Sequence, residues 1–174
     1  MATHTIPILG FATRPDDTGE AFFEPIDLVF GSNDLARQFA LRLGSSNAAE
    51  PSVKHGVYGS IRVPNNYVGT AVLVVEWSAT LTSNNVVFDF DYRAIGGNDA
   101  ESLDQATWQE SVTVTDAAPT TARFKLTPTV ALTSANLTAL DIVEFFFGRD
   151  GADGSDTMAG SAWVFELSLQ YSDT

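Results

Sequence analysis

The sequence predicts an all-β protein, an antiparallel β-sandwich of the jelly-roll type, and three observations support this. Segments that alternate apolar and polar residues recur along the chain of 174 residues, turn-forming residues separate them, and no long helical pattern occurs. A period of two sends successive side chains to opposite faces of a strand. Roughly eight to ten short strands at regular spacing are typical of a sandwich around one core.

The last predicted strand shows the alternation best. One of its faces consists of five apolar side chains, Trp163, Phe165, Leu167, Leu169 and Tyr171. The residues between them are largely polar, so we expect one buried and one solvated face. Trp77 stands in register with the apolar face of its own strand in the same way, and we expect both tryptophans in the core.

Two central segments, 72–81 and 86–94, predict a β-hairpin, because each alternates and a turn-forming stretch separates them. Asp89 and Asp91 share one face of the second strand, about 7 Å apart by the rise of a strand, with Glu76 opposite if the hairpin forms. Paired carboxylates are what a glycoside hydrolase needs. A solvated, charge-paired strand face is the commoner arrangement, and we favour it here.

The first 50 residues are apolar but irregular. We therefore divide the chain into an N-terminal arm or set of edge strands, 1–50, and a sandwich domain, 51–174. Residues 35–43 fit a helix or a strand, and the turn-forming residues after them favour a strand. The candidates for contacts with a partner are exposed or irregularly placed apolar side chains, namely Ile6, Ile8, Phe11, Phe22, Phe23 and Trp108.

Charge excludes several partners. Nine Lys and Arg stand against 22 Asp and Glu, a formal net charge of −13, and the basic residues are scattered along the chain. Nucleic acids require clustered cations that displace counterions, so we expect no nucleic-acid partner and no anionic membrane surface. No apolar run reaches the length of about 18 residues of a membrane span, and no secretory signal is apparent at the N-terminus.

Catalytic and metal-binding motifs are weak. The chain has no cysteine, and His4 and His55 are far apart in sequence. Asp150, Asp153 and Asp156 could offer oxygen ligands to calcium, but their spacing differs from that of an EF-hand loop, and Gly and Asp are ordinary residues of a tight surface loop. We therefore predict no metal, no cofactor and no enzymatic activity, with these three aspartates as the weak calcium candidate.

Two stretches resemble a known group of proteins. The first is V-L-V-V-E-W-S-A-T with V-V-F-D-F-D-Y-R-A-I and G-G-N-D-A-E-S, within 72–102, and the second is F-G-R-D-G-A-D-G-S-D-T-M-A-G, residues 147–160. They are similar to β-rich proteins encoded in virion gene clusters of tailed bacteriophages, over residues 57–172. The resemblance implies a virion structural role, a jelly-roll fold and trimeric assembly, and it carries no catalytic residues.

From this resemblance we predict a capsid decoration, or cementing, protein. Such a homotrimer, made in the host cytoplasm, would bind the major capsid protein or other virion proteins on the capsid exterior. It would stabilise the shell because it binds the assembled form only. The alternatives are a tail-fibre or head-fibre module that binds a host-surface glycan, and a carbohydrate-binding sandwich domain.

Overall fold

The structure is a computed structural model that describes residues 2–8, 11–13, 22–27, 37–44, 54–96 and 105–173, with the backbone alone described for 11–13, 22–27 and 37–39. Within these ranges the chain forms eleven strands and one short 3-10 helix, Ser134–Asn136. The strands are β1 (Thr3–Pro7), β2 (Phe11–Thr13), β3 (Phe22–Asp27), β4 (Arg37–Leu43), β5 (Lys54–Arg62), β6 (Tyr67–Ser78), β7 (Asn85–Ile95), β8 (Glu110–Ala117), β9 (Thr129–Leu132), β10 (Ile142–Asp150) and β11 (Ala162–Asp173).

The strands form two antiparallel sheets. Sheet A has the order β3-β4-β11-β6-β9, with β1 also paired to β11, and sheet B has the order β2-β5-β10-β7-β8. Strand β4 pairs with β11, β5 with β10, β6 with β9 and β7 with β8. The chain from β4 to β11 is therefore one long antiparallel hairpin that turns back between β7 and β8. Its successive strand pairs belong alternately to sheet A and sheet B. This topology is a jelly roll and confirms the predicted fold class.

The core lies between the inner faces of the two sheets. Trp77 of sheet A is fully buried and packs edge-on against Phe88 of sheet B, with ring centroids 5.3 Å apart. The indole nitrogen of Trp77 donates to Oδ2 of Asp116 at 2.8 Å. Burying one large apolar side chain stabilises the fold by about 1.5–3 kcal/mol. The structure thus confirms the predicted position of Trp77 in the core.

The predicted hairpin of 72–81 with 86–94 is wrong. Strand β6 belongs to sheet A and β7 to sheet B, where β7 pairs with β10 and β8. Each strand has one apolar face, and these faces meet across the sandwich instead of lying side by side in one sheet. Glu76 is therefore not opposite Asp89 or Asp91, and its side chain accepts a hydrogen bond from Lys125 at 2.9 Å.

The last strand is interrupted by a β-bulge. The pairing of β11 with β6 shifts between Val164 and Glu166, so the alternation changes face at that point. Leu167, Leu169 and Tyr171 lie in the core as predicted, whereas N-terminal to the bulge the core residues are Ala162 and Val164. Trp163 and Phe165 are only partly buried, and the prediction that they belong to the buried face is wrong.

The N-terminal strands pair with both sheets. Strand β1 pairs with β11, β2 with β5, and β3 with β4. Strand β4 confirms the strand that we favoured for residues 35–43. The division of the chain at residue 50 stays a prediction.

Among the residues that the structure describes, no helix has the length and apolar character needed to cross a membrane.

Candidate functional site

The outer face of sheet B carries an unusual set of side chains for a solvated surface. Because side chains alternate along a strand, the residues opposite the core face come from β5, β10 and β7 in matching rows. In register across the three strands these rows are Gly56–Gly148–Asp89, Tyr58–Phe146–Asp91 and Ser60–Glu144–Arg93. The face thus combines aromatic, acidic and basic groups within a few ångströms of the sheet.

Two glycines, Gly56 of β5 and Gly148 of β10, lie side by side in this face. A Cβ at Gly56 would clash with the carbonyl oxygen of Phe147, and one at Gly148 would lie 2.7 Å from that of His55. Either Cβ would also come within 3 Å of Cζ of Phe146. The absence of side chains therefore lets the outer edge of the Phe146 ring lie against the two glycines, where Phe146 is buried.

Two further rings extend this aromatic surface outward. Tyr58 packs against Phe146 with ring centroids 5.2 Å apart and is 37% exposed. Trp108 stacks on Tyr58 at 6.4 Å and 24°. Strands β5 and β8 are separated by β10 and β7, about 14 Å in all at the usual strand spacing. The segment that enters β8 must therefore carry Trp108 over the outer face to reach Tyr58.

A shallow groove of about 190 Å³ runs beside Trp108. Arg93, Gln105 and Gln109 line it, and Glu144 lines its continuation. Nε and Nη2 of Arg93 donate to Oε2 of Glu144 at 2.9 and 2.6 Å, which fixes both side chains on the floor of the groove. The groove therefore offers amide, carboxylate and guanidinium groups next to an aromatic wall.

Asp89 and Asp91 do not lie on a solvated surface, which corrects the interpretation favoured from the sequence. They are 1% and 6% exposed. The ammonium of Lys54 forms an ion pair with Oδ2 of Asp89 and lies 3.4 Å from Oδ2 of Asp91. Lys54 reaches them across the row of Gly56 and Gly148, where no Cβ obstructs its path. The charge pairing is present, but it is buried.

The charges in this cluster perturb each other. Burial raises the pKa of Asp89; the hydrogen bond from Lys54 opposes this, and the charge of Asp91 adds to it, so that the net shift is upward. Burial alone would lower the pKa of Lys54, but the hydrogen bond and charge of Asp89, together with Asp91, outweigh it and raise that pKa. One ammonium between two carboxylates therefore stays charged, and the cluster keeps a negative excess.

The three aspartates of the calcium candidate do not converge on one point. Oδ1 of Asp150 accepts from the backbone of Ala152, and Oδ1 of Asp153 accepts from that of Ser155. Asp156 is buried and pairs with Arg149 at 2.6 and 2.8 Å. Within the described parts of the chain, no three carboxylate, imidazole or thiolate groups cluster in a way that could hold a metal ion.

The apolar candidates for partner contacts are placed differently from one another. Ile8 is 5% exposed and lies in the core, and Ile6 packs against it, so both are used within the fold. Phe11 belongs to β2 and both Phe22 and Phe23 to β3, but their side chains lie outside the described part of the structure. Of these candidates, the structure brings Trp108 to the groove.

Sequence reasoning missed Tyr58, Phe146 and Lys54. A signal for two of them was present, because the alternation of β5 puts Lys54 and Tyr58 opposite the buried Val57. Phe146 lies in a continuous apolar run, so no alternation of apolar and polar residues indicates which face of the strand it occupies. These side chains meet Trp108 and Asp91 because of the order of the strands in sheet B. The pattern of a single strand does not indicate that order.

Comparisons with known proteins give similarity in fold. No protein-family model matches the chain, and no curated protein matches it. Among solved structures, a carbohydrate-binding module specific for non-crystalline cellulose, CBM28, aligns with a TM-score of 0.49 and 9% identity, over 91% of this chain and 86% of that one.

Two other solved structures are similar at the same level. TmCBM61 in complex with β-1,4-galactotriose aligns with a TM-score of 0.46 and 7% identity, over 98% and 88% of the two chains. The CBM22-1 xylan-binding domain of Xyn10C from Paenibacillus barcinonensis aligns with a TM-score of 0.43 and 10% identity, over 95% and 87%. At such low identity, what this chain binds has to be argued from its own side chains.

The resemblance to phage virion proteins finds no counterpart in these comparisons. The capsid partner, the trimeric state and the virion location accordingly stay predictions.

Proposed function

We propose that this protein is a non-catalytic carbohydrate-binding domain that holds a glycan on the outer face of sheet B. The observation that carries the proposal is the stacked pair of Tyr58 and Trp108 beside a groove lined by polar side chains. A sugar ring presents an apolar C–H face and a rim of hydroxyl groups. An aromatic wall matches the first, and fixed polar groups match the second.

The polar groups of the groove are suited to hydroxyl groups. Arg93 and Glu144 hold each other in place, so a ligand does not have to order them at an entropic cost. The amide side chain of Gln105 adds both a donor and an acceptor at the rim. Orienting groups of this kind beside an aromatic surface are the usual composition of a small-molecule site.

The absence of catalysis is part of the proposal, and the state of Asp89 and Asp91 supports it. A glycoside hydrolase needs two carboxyl groups that flank the scissile bond, one as acid and one as base or nucleophile. Here both carboxyl groups are buried and share the ammonium of Lys54. Carboxyl groups held in this way are not free to exchange protons with a glycosidic oxygen or to attack a sugar carbon.

Glycan binding by two variants tests the proposal. On a glycan array, the wild-type protein is expected to bind a subset of oligosaccharides, and isothermal titration with the best of them gives Kd. Removing one stacking ring costs about 1 kcal/mol or somewhat more, so Tyr58→Ala and Trp108→Ala are expected to weaken binding roughly tenfold.

The matched control is Phe124→Ala, because Phe124 is 61% exposed and lies beside sheet A, near Ser78. It should leave Kd unchanged, and circular dichroism should show that all variants keep their fold. Binding of no glycan by the wild-type protein would refute the proposal. An equal loss in Phe124→Ala would show that the binding surface lies elsewhere.

A further inference from the structure

The charges of the outer face of sheet B do not balance. The described side chains on this face include three cations, Lys54, Arg62 and Arg93, and four carboxylates, Asp89, Asp91, Glu144 and Asp150. Asp150 is in register with Lys54 in the pairing of β10 with β5, which places it at the edge of the cluster. Arg93 is bound by Glu144, and Lys54 by the two buried aspartates. Arg62 lies two rows beyond Tyr58, on the side away from Asp89, where it donates to the carbonyl oxygen of Leu140. A negative excess of one charge therefore remains on this face, and it lies towards Asp89 and Asp91.

One acceptor atom in this cluster lacks a donor. Oδ1 of Asp91 is buried and has no hydrogen-bond partner among the described residues, although Asp91 is 6% exposed overall. A buried carboxylate oxygen without a donor is costly, so most such atoms are satisfied. Asp91 is in register with Phe146, in the same row as Tyr58. The unfilled acceptor thus lies in the row that carries the aromatic rings.

Carboxylates next to aromatic rings are the chemistry that recognises an ammonium group. A cation is attracted to the face of a tyrosine or tryptophan ring, and more strongly where water is excluded. A carboxylated sugar on the same surface would instead meet the negative excess, and like charges brought together disfavour binding. Lys54 already shows that an ammonium fits over Asp89 and Asp91, and its side chain is 40% exposed.

We infer that this face selects glycans that carry a protonated amine, of the glucosamine type, over glycans that carry carboxylates. The inference rests on the proposed function, because it names the class of sugar that the same groove takes. The aromatic rings contact the sugar face, and the ammonium of the sugar lies on the acidic side of the Tyr58–Phe146 row.

Isothermal titration with three short oligosaccharides of equal length tests the inference. They are a glucosamine trimer, its N-acetylated counterpart, and a galacturonic acid trimer. The amine trimer is expected to bind at least tenfold more tightly than the acetylated trimer, and the acidic trimer is expected not to bind. Short trimers are used because a long polycation would bind any strongly acidic protein by avidity.

The outcomes separate the two proposals. Equal affinity for the amine and acetylated trimers, or tight binding of the acidic trimer, overturns the inference and leaves carbohydrate binding intact. Failure of the three trimers and of every glycan on the array overturns both.

Charge-removing variants locate the effect. Asp91→Asn and, at the edge of the face, Asp150→Asn should each weaken binding of the amine trimer severalfold and leave binding of the acetylated trimer unchanged. The control is Glu166→Gln, which removes an exposed charge from sheet A, on the opposite sheet. If Glu166→Gln weakens binding as much as the other two, the attraction comes from the overall net charge and the inference is wrong. Asp150→Asn keeps the test decisive should Asp91→Asn not fold, because Asp150 is only partly buried.

Discussion

Sheet B carries a buried ion cluster on each of its faces, and the two differ in whether their hydrogen bonds are complete. On the core side, Arg149 and Asp156 are fully buried, and Nε and Nη2 of Arg149 bind both carboxylate oxygens of Asp156. Arg149 also donates to the carbonyl oxygens of Met158 and Gly160. On the outer side, one half-exposed Lys54 serves two buried aspartates, and an oxygen of Asp91 has no partner among the described residues.

The complete cluster belongs to the fold, and the incomplete one lies in the proposed site. Arg149 ties β10 to the loop that leads into β11, and Asp156 accepts from the backbone nitrogen of Val87 at 3.0 Å, so this pair fixes three parts of the chain. A buried pair with satisfied hydrogen bonds is strongly destabilised by loss of one partner. An incomplete, net-negative cluster adds little net stability, and its negative charge is the part that the proposed binding site uses. Substitutions in each cluster test this distinction.

The largest effect is expected from Arg149→Met, which leaves the carboxylate of Asp156 buried without a counter-charge. The free energy of unfolding should fall by about 3–5 kcal/mol, measured by urea denaturation at pH 7. The control is Lys125→Met, which breaks the exposed pair with Glu76 and should cost less than about 1 kcal/mol. If Arg149→Met lowers the free energy of unfolding no more than the control does, the core cluster does not stabilise the fold.

A smaller loss is expected from Lys54→Met. Asp89 and Asp91 would then share a buried site with no cation, but the ammonium that is lost is 40% exposed and partly screened by water. We expect a loss of about 2 kcal/mol at pH 7, which shrinks as the pH falls, because burial raises the pKa of Asp89 and its protonation relieves the repulsion. A loss that is independent of pH would mean that Lys54 acts through its aliphatic packing.

The jelly roll was predictable from the sequence, but the two ion clusters were not. Alternation in β6, β7 and β11 shows which side chains share a face, and this was sufficient for the sandwich and for Trp77. The same alternation placed Asp89 and Asp91 on the polar face correctly. It could not show that Lys54 of β5 and Phe146 of β10 lie on that face, because strand order depends on contacts between residues far apart in sequence.

Two local features also could not be predicted from the alternation of apolar and polar residues. The bulge between Val164 and Glu166 adds one residue to the strand, so that Trp163 leaves the face predicted for it. Arg149 interrupts the apolar pattern of β10, and from the sequence a lone arginine before an acidic loop indicates a surface residue. Its burial depends on Asp156, seven residues later, which turns inward to pair with it.

A pH effect of intermediate size should distinguish the two clusters further. His55 lies opposite Arg149 in the register of β5 and β10, and its Nδ1 accepts from the backbone of Gly44 at 2.6 Å. Burial, with the charges of Arg42 and Arg149, lowers the pKa of His55. The unfolded chain therefore binds this proton more readily, so stability is full above pH 6.5 and falls as the pH falls through that value towards the folded pKa.

Urea denaturation at pH 7.5, 6.5 and 5.5 measures this loss, which for one proton cannot exceed about 1.4 kcal/mol per pH unit. His55→Asn places an amide oxygen near the position of Nδ1 and cannot be protonated in this range. The fall in stability between pH 6.5 and 5.5 should therefore be smaller in the variant. Equal slopes for the two proteins would show that His55 does not couple folding to pH.

The smallest effect, and the sharpest contrast, is expected when the same substitution is made in both clusters. Because the pKa of Asp89 is raised, the folded protein binds a proton at Asp89 more readily than the unfolded chain does. Keeping Asp89 ionised at pH 7 therefore lowers the free energy of unfolding. This cost disappears as the pH falls through the pKa of Asp89 in the folded protein. Asp89→Asn removes that cost and should change the free energy of unfolding by between zero and about +1 kcal/mol at pH 7. Asp156→Asn, with identical chemistry, should lower it by more than about 2 kcal/mol, because Arg149 loses its counter-charge inside the core. If both variants lose stability equally, the outer cluster is a structural ion pair like the inner one, and its negative excess has no separate role in binding.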